Sequence, residues 1–430
     1  MVIATTGSGG FAIQTLCQVG GMSSLIQEIQ VPYATFSSSE FMGAKPEKFV
    51  SEKTAMQLAL KSYERSIEVT TLDNSTHSDS LLEAFRERHI GLGCTAAVVT
   101  KRARRGLHHA YVATFDGVLY EVWRLNMAKA TRSRIGEDKC VGILMLFAAA
   151  KAMDVIPKDS RLLKSSFNTE SEDPKLRDEV CQIRQEVQQH PLRLLQRNEV
   201  SSVLYLAAAD KATYTNKSIS PKEIPVSPTI CNAKLPIGTI ILPGSFNPIH
   251  QGHIELANAA KSVLSRDSKA PPQIVFEISM SNADKGNVDI KEIESRISNF
   301  SKHTQDKHLV IVTAAKLFAE KALIFPGCCF ALGADTAIRL VNPKYYGNNK
   351  WSMHHALKAL LESGIRFVVG ARVTKDGELE TCATILDYLK SLDNNRDEGI
   401  FQELSPMFIE IPSSEFRLDI SSTEIRQQRT

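Results

Sequence analysis

The run Gly238-Thr-Ile-Ile-Leu-Pro-Gly-Ser-Phe-Asn-Pro-Ile-His-Gln-Gly-His253 constrains this chain more than any other stretch. Its apolar opening predicts a strand over 238–242. The Pro-Gly-Ser-Phe-Asn-Pro that follows predicts a turn, and the apolar spacing of 254–264 predicts a helix. A strand, a glycine-bearing turn and a helix start in this order leave the first N–H groups of the helix unpaired and its positive dipole end exposed. Such an end takes phosphate. His250 and His253 stand three apart and so share one face of the incoming helix. Gly252 between them carries no side chain to block an approaching ligand. Two imidazoles there can donate hydrogen bonds to phosphoryl oxygens. Zinc is a weaker reading of the pair, because no third ligand follows in sequence; two internally satisfied histidines are the bland one.

The same patterning extends over the rest of the sequence. Strands are predicted over 238–242, 273–278, 308–313, 329–332, 365–369 and 407–411, with helices between several of them. That alternation implies βαβ units, hence a parallel sheet with helices on both faces and a ligand site beyond the carboxyl ends of its strands. A second helix start, Asp419-Ile-Ser-Ser-Thr-Glu-Ile-Arg426, offers Ser421, Ser422 and Thr423 as caps and hydroxyl donors. Arg426, one turn in, can pair a phosphate bidentately.

Residues 244–253, GSFNPIHQGH, resemble the H-x-G-H signature of the nucleotidyltransferase superfamily, and ISSTEIR over 420–426 resembles its ISSTxxR phosphate loop. Gly333-Ala-Asp-Thr336 looks like the superfamily's G-x-D element near the nucleoside. Ser281-Asn-Ala-Asp-Lys285 is similar to a loop that often brings a lysine to the phosphates. The resemblance spans 237–430 and implies a Rossmann-like parallel-sheet domain of the α/β class. The first two motifs together look most like nicotinamide-mononucleotide adenylyltransferases. Other adenylyl- or cytidylyltransferases, such as pantetheine-phosphate adenylyltransferase, and an ATP-hydrolysing or NTP-sensing module are the alternatives. The resemblance implies transfer of AMP from ATP to a phosphorylated small-molecule acceptor, NMN or nicotinate mononucleotide, with Mg²⁺ carried on the ATP and no protein-held metal. It implies His250, His253, Lys285 and Arg426 as catalytic groups. It implies Gly244, Ser245, Phe246, Asn247, Gly252, Gly333, Asp335, Ser421, Ser422 and Thr423 as nucleotide-binding residues. Trp351 could stack on a pyridine ring or serve the core, and His354-His355 reads as a solvated helix face.

Residues 1–155 are different material. A helix is predicted over 51–69, strands over 91–100, 110–115 and 118–125 with an Asp116-Gly117 hairpin turn, and a buried helix over 139–153. Thr5-Thr-Gly-Ser-Gly-Gly10, Val31-Pro-Tyr33, Ser51-Glu-Lys-Thr-Ala55 and Gly91-Leu-Gly-Cys-Thr-Ala96 together resemble the CinA C-terminal family, some of whose members are NMN deamidases. Thr6 stands where that family has serine, which implies a non-catalytic regulatory or dimerising α/β domain and a possible homo-oligomer through it. Residues 156–236 read as a polar connector, with a helix over 174–189, a short strand over 202–206 and a Pro-rich end. Lys101-Arg-Ala-Arg-Arg105, with His108 and His109, reads as an anion contact or a solvated loop.

Composition enters mainly by exclusion. Lys plus Arg is 51 against 48 acidic residues, a net +3, so no dedicated nucleic-acid surface is expected. The longest apolar run, Cys140–Ala150, has eleven residues where a bilayer needs about 20, so no membrane partner is expected. The first residues lack the basic segment of a signal peptide, and eight scattered cysteines read as free thiols, which suits a cytoplasmic chain with a nuclear one left open.

Overall fold

The computed structural model describes residues 1–73, 80–101, 105–155, 167, 173, 177–187, 190–207, 229–266, 270–282, 286–303, 307–374, 377–393 and 399–418. By its contacts the chain divides into two compact units: Met1–Thr70 with Arg86–Gln189, and Thr71–Phe85 with His190–Thr430.

The first unit contains β1 (Val2–Thr6), α1 (Gly10–Cys17), β2 (Glu28–Gln30), α2 (Thr35–Met42) and α3 (Glu52–Asp73). After α4 (Ser80–Arg86), which groups with the second unit, come β3 (Gly91–Ala97), β4 (His108–Phe115), β5 (Leu119–Met127), α5 (Arg134–Ala152) and β6 (Glu179–Val187). Its sheet has the order β2-β1-β3-β4-β5-β6. The first three strands are parallel, and the rest continue as an antiparallel meander. Ser133 caps α5 by accepting from the Gly136 N–H at 3.3 Å. The i, i+3, i+4 spacing of Val141, Leu144, Met145 and Ala148 then turns one stripe of α5 into the core with Ile3, Leu92, Cys94, Val112 and Leu125. Two buried acids are satisfied within this unit. Glu137 takes His108 Nδ1 at 2.6 Å and the Val99 N–H at 2.7 Å, and Asp178 takes both nitrogens of the Arg132 fork. His108 therefore belongs to the interior and not to a basic patch; residues 102–104 of that patch lie outside the described residues.

The second unit contains α6 (Pro191–Gln196), β7 (Ser202–Ala207), β8 (Thr229–Cys231), β9 (Ile240–Pro243), α7 (Gln251–Ser265), β10 (Ile274–Ser279), β11 (Ser281–Asn282), β12 (Gly286–Asn287) and α8 (Ile290–His303). It continues with β13 (His308–Thr313), α9 (Phe318–Ile324), β14 (Cys329–Gly333), α10 (Ala334–Leu340), α11 (Lys350–Glu362), β15 (Arg366–Val373), β16 (Leu379–Glu380), α12 (Cys382–Leu392), α13 (Ile400–Leu404), β17 (Phe408–Glu410) and β18 (Arg417–Leu418). The sheet order is β16-β15-β14-β9-β10-β13-β7-β8. The five strands from β15 to β13 are parallel, and the chain runs β9, β10, β13 to one side and then β14, β15 to the other. The strand order therefore reverses between β9 and β14, and a crevice opens there beyond the carboxyl ends. On one face α6, α7 and α8 pack Leu192, Leu256, Ile293 and Phe300 onto Ile240, Phe276, Val310 and Val368. On the other, Phe318 of α9 stands edge-on to Phe330 and Phe367.

Two expectations change. Residues 179–187, part of the predicted helix over 174–189, form β6, an edge strand antiparallel to β5. An edge strand has one open side, so it tolerates the polar spacing that resembles a charged helix. The sheet of the second unit is also not wholly parallel, since β7, β8 and β16 pair antiparallel at its margins. The stretch 156–236 thus gives a strand to the first sheet and two to the second; residues 208–228, with most of the Pro-rich end, lie outside the described residues.

Candidate active site

β9 ends at Pro243, and the Gly244 N–H donates to the Glu277 carbonyl at 2.9 Å, which ties the turn to β10. Phe246 follows with φ 43° and 0% exposure. Its ring stands edge-on to Phe276, Phe300 and His253, with centroids 5.6, 5.3 and 4.9 Å away. A Cβ on Gly244 would sit 2.7 Å from that ring, so the turn closes only over glycine. Phe246, expected against the nucleotide, instead supports the turn from beneath; Ser245 is exposed and Asn247 half-buried.

His250 caps α7, with Gly252 and His253 in the first turn. The His250 N–H donates to His253 Nδ1 at 3.2 Å, and the two rings lie 3.7 Å apart at 32°. An accepting Nδ1 puts the proton of a neutral His253 on Nε2 and makes that nitrogen a donor. Burial, then the neighbouring His250, push the His253 imidazole down to about 3. Burial, then the Arg372 guanidinium, lower His250. Gln251 and Gly252, the first two helical residues, have no intrahelical acceptor for their N–H groups. The site therefore offers neutral imidazoles and backbone N–H groups at the positive end of a helix.

The neighbouring strands complete it. β14 ends at Gly333, which caps α10, and Asp335 lies in the first turn. A Cβ on Gly333 would meet Asp335 Oδ1 at 2.8 Å. Arg372, at the carboxyl end of β15, pairs with Asp335 Oδ2 at 2.9 Å. Asp335 Oδ1 is buried with no hydrogen-bond partner among the described residues. Three strands around the switch point thus gather His250, His253, Asp335 and Arg372. Sequence reasoning missed Arg372 because the predicted strand stopped at Val369; the small Gly370-Ala371 pair that carries the strand onward was the available signal. Also missed was a buried ion pair at the carboxyl end of β10. Glu277 accepts from Thr313 Oγ1 at 2.6 Å and from Lys321 Nζ at 2.7 Å, and a lone acid inside an apolar strand run pointed to it.

Lys285, Ser421, Ser422, Thr423 and Arg426 lie outside the described residues. The chain reaches that last stretch from β18, whose Arg417 and Leu418 pair with Ala371 and Arg372. Trp351, the second residue of α11, is 43% exposed, with Lys350 Nζ over its ring. His354 is not on a solvated face: it is buried and bonds Glu403 at 2.6 Å, whereas His355 is exposed.

The glycine-rich start in the first unit is arranged otherwise. One carboxylate, Asp138 of α5, accepts from Ser8 Oγ and from the N–H groups of Gly9, Gly10 and Phe11 at 2.7 to 3.1 Å. Burial would raise this carboxyl; the bonds from Ser8, Gly9, Phe11 and Gly10 outweigh it and hold the group below the usual carboxylate range.

Residues 241–428 match the family described as cytidylyltransferase-like, which supports nucleotidyl transfer in general. A solved structure of a competence-damaged protein (CinA) superfamily protein from Enterobacter cloacae is similar at 13% identity, over 36% of this chain and 81% of that one, with a TM-score of 0.25. No curated protein matches significantly. No helix among the described residues is long and apolar enough to cross a membrane.

Proposed function

We propose that the second unit transfers AMP from ATP to the phosphate of NMN or nicotinate mononucleotide and releases pyrophosphate. A phosphate oxygen of the acceptor attacks the α-phosphorus in line; the bond from that phosphorus to the bridging oxygen of the β-phosphate breaks, and pyrophosphate leaves with the electron pair. The nucleophile is already an anion, so no general base is needed, and catalysis consists of positioning and charge stabilisation. The observation that carries this reading is the pair of closely packed neutral histidines at the α7 start, with Arg372 close enough to lower His250. Their N–H donors and the guanidinium suit the oxygens of a transferring phosphoryl group. In this reading Mg²⁺ arrives on the triphosphate. The acceptor rests on the likeness of GSFNPIHQGH and ISSTEIR to nicotinamide-mononucleotide adenylyltransferases. The first unit, in this reading, is a non-catalytic CinA-like domain.

The test is pyrophosphate release by the full chain with Mg²⁺, ATP and NMN or nicotinate mononucleotide, with the dinucleotide identified by mass. The family description makes CTP the competing donor, so ATP and CTP are run in parallel. Product from CTP alone, product only with another phosphorylated acceptor, or ATP turnover that ignores any acceptor each overturns the assignment.

A further inference from the structure

A cavity lies on the α7 face of the second sheet, at the amino ends of β10 and β13 and thus at the other end of the strands from the histidines. Its volume of about 210 Å³ equals about seven waters at ~30 Å³ each, enough for a small organic molecule. The floor is apolar and buried, made by Ala257, Phe276 and Leu309, with Leu82 of α4 at one side. That side is held in place by the Gln273 amide, which accepts from the Leu81 N–H at 3.1 Å and donates to Ser80 Oγ at 2.5 Å, all three residues being buried. Lys261 and Lys307 also line the cavity; among the described residues neither has an ion-pair partner and no acidic residue is part of the lining. An apolar floor under two cations that have no acidic partner among the described residues is complementary to one kind of ligand.

We propose that this cavity binds a small organic anion, a carboxylate on a flat apolar body, at a site separate from the histidines. The body lies over Phe276 and the carboxylate takes the two ammonium groups. Lys261 and His253 sit on the same helix eight residues apart, ~12 Å at 1.5 Å per residue. A bound anion therefore acts on the rigid element whose start carries both histidines, and the site does not depend on which acceptor the transferase takes.

The probe is benzoate, titrated calorimetrically into the full chain, with inorganic phosphate in a parallel arm and hydrogen exchange to locate the site. Benzoate is expected to saturate at one per chain and to protect 254–261 and 307–309, with phosphate weaker by about tenfold for want of an apolar body. Lys261→Gln with Lys307→Gln should weaken benzoate by about tenfold or more. Lys307→Gln alone, at an exposed position with no threat to folding, should weaken it severalfold. Absence of saturation, protection elsewhere, phosphate binding as tightly as benzoate, or lysine variants of unchanged affinity would overturn the proposal.

Discussion

The α1 start in the first unit and the α7 start in the second are built from the same parts, a strand, a glycine-bearing turn and a helix, yet they are finished in opposite ways. At α1 a carboxylate of the chain takes Ser8 Oγ and three successive N–H groups. At α7 the local partners are two neutral imidazoles, and the nearby acid, Asp335, is engaged by Arg372. The first start is neutralised from within; the second, in the proposed reading, keeps donors and a cation for an outside anion. A phosphate-binding backbone is therefore only an offer, and what decides its use is whether the fold delivers a charge of its own to it.

The sharpest way to break this contrast is at α7. His253→Ala should lower nucleotidyl transfer by about 100-fold, the scale for losing one donor to a developing charge, and a variant that keeps most of its rate would remove the histidines from the chemistry. At α1, Asp138→Ala should cost about 1–2 kcal/mol in urea unfolding, the value of charge-assisted hydrogen bonds reduced for partial exposure. It should leave transfer unchanged. Inorganic phosphate should then raise the melting temperature of that variant by more than that of the parent, which can respond only through the second unit; if both respond alike, α1 was never closed. The carboxyl is held below its usual value, so its share of stability is full above the ordinary carboxylate range and is lost as the pH falls through that range and below.

Smaller effects sharpen the picture. Arg372→Ala should raise the KM for the nucleotide severalfold, and the His250 titration followed by NMR should move up toward the free-imidazole value, although burial will keep it low. No movement would separate Arg372 from the histidines. His253 should show no titration through the mildly acidic range. Its folded value of about 3 lies below the unfolded 6.5, so the unfolded chain takes up the proton first. It therefore costs no stability above about 6.5 and destabilises the fold increasingly as the pH falls from there toward 3.

Much of the fold could be read along the chain. The strands β9, β10, β13, β14 and β17 begin and end within two residues of the predicted bounds, because buried parallel strands are short apolar runs between turn residues. The helix predicted over 51–69 appears as α3, since an amphipathic stripe announces itself locally. What was misread lies where sequence pattern and tertiary role part. β6 is polar because it is an edge, and Phe246 belongs to a motif expected to touch ligands yet packs inward against Phe276 and Phe300. Of the candidate site, His250 and His253 were read from spacing and Gly333 and Asp335 from the resemblance, whereas Arg372 and the Glu277–Lys321 pair meet their partners on other elements of the fold.

The sequence by itself determined the local offer: two glycine-bearing helix starts after strands, two histidines three apart, and an alternation that demands a parallel sheet. These depend on dihedral preferences and on periods of two and 3.6 residues, which are written in adjacent residues. Tertiary structure alone decided what each offer receives. Asp138 comes to Gly9 across 129 positions, and Arg372 comes near enough to lower His250 from a strand more than a hundred residues on. A charge acts through distance in space, and only packing sets that distance.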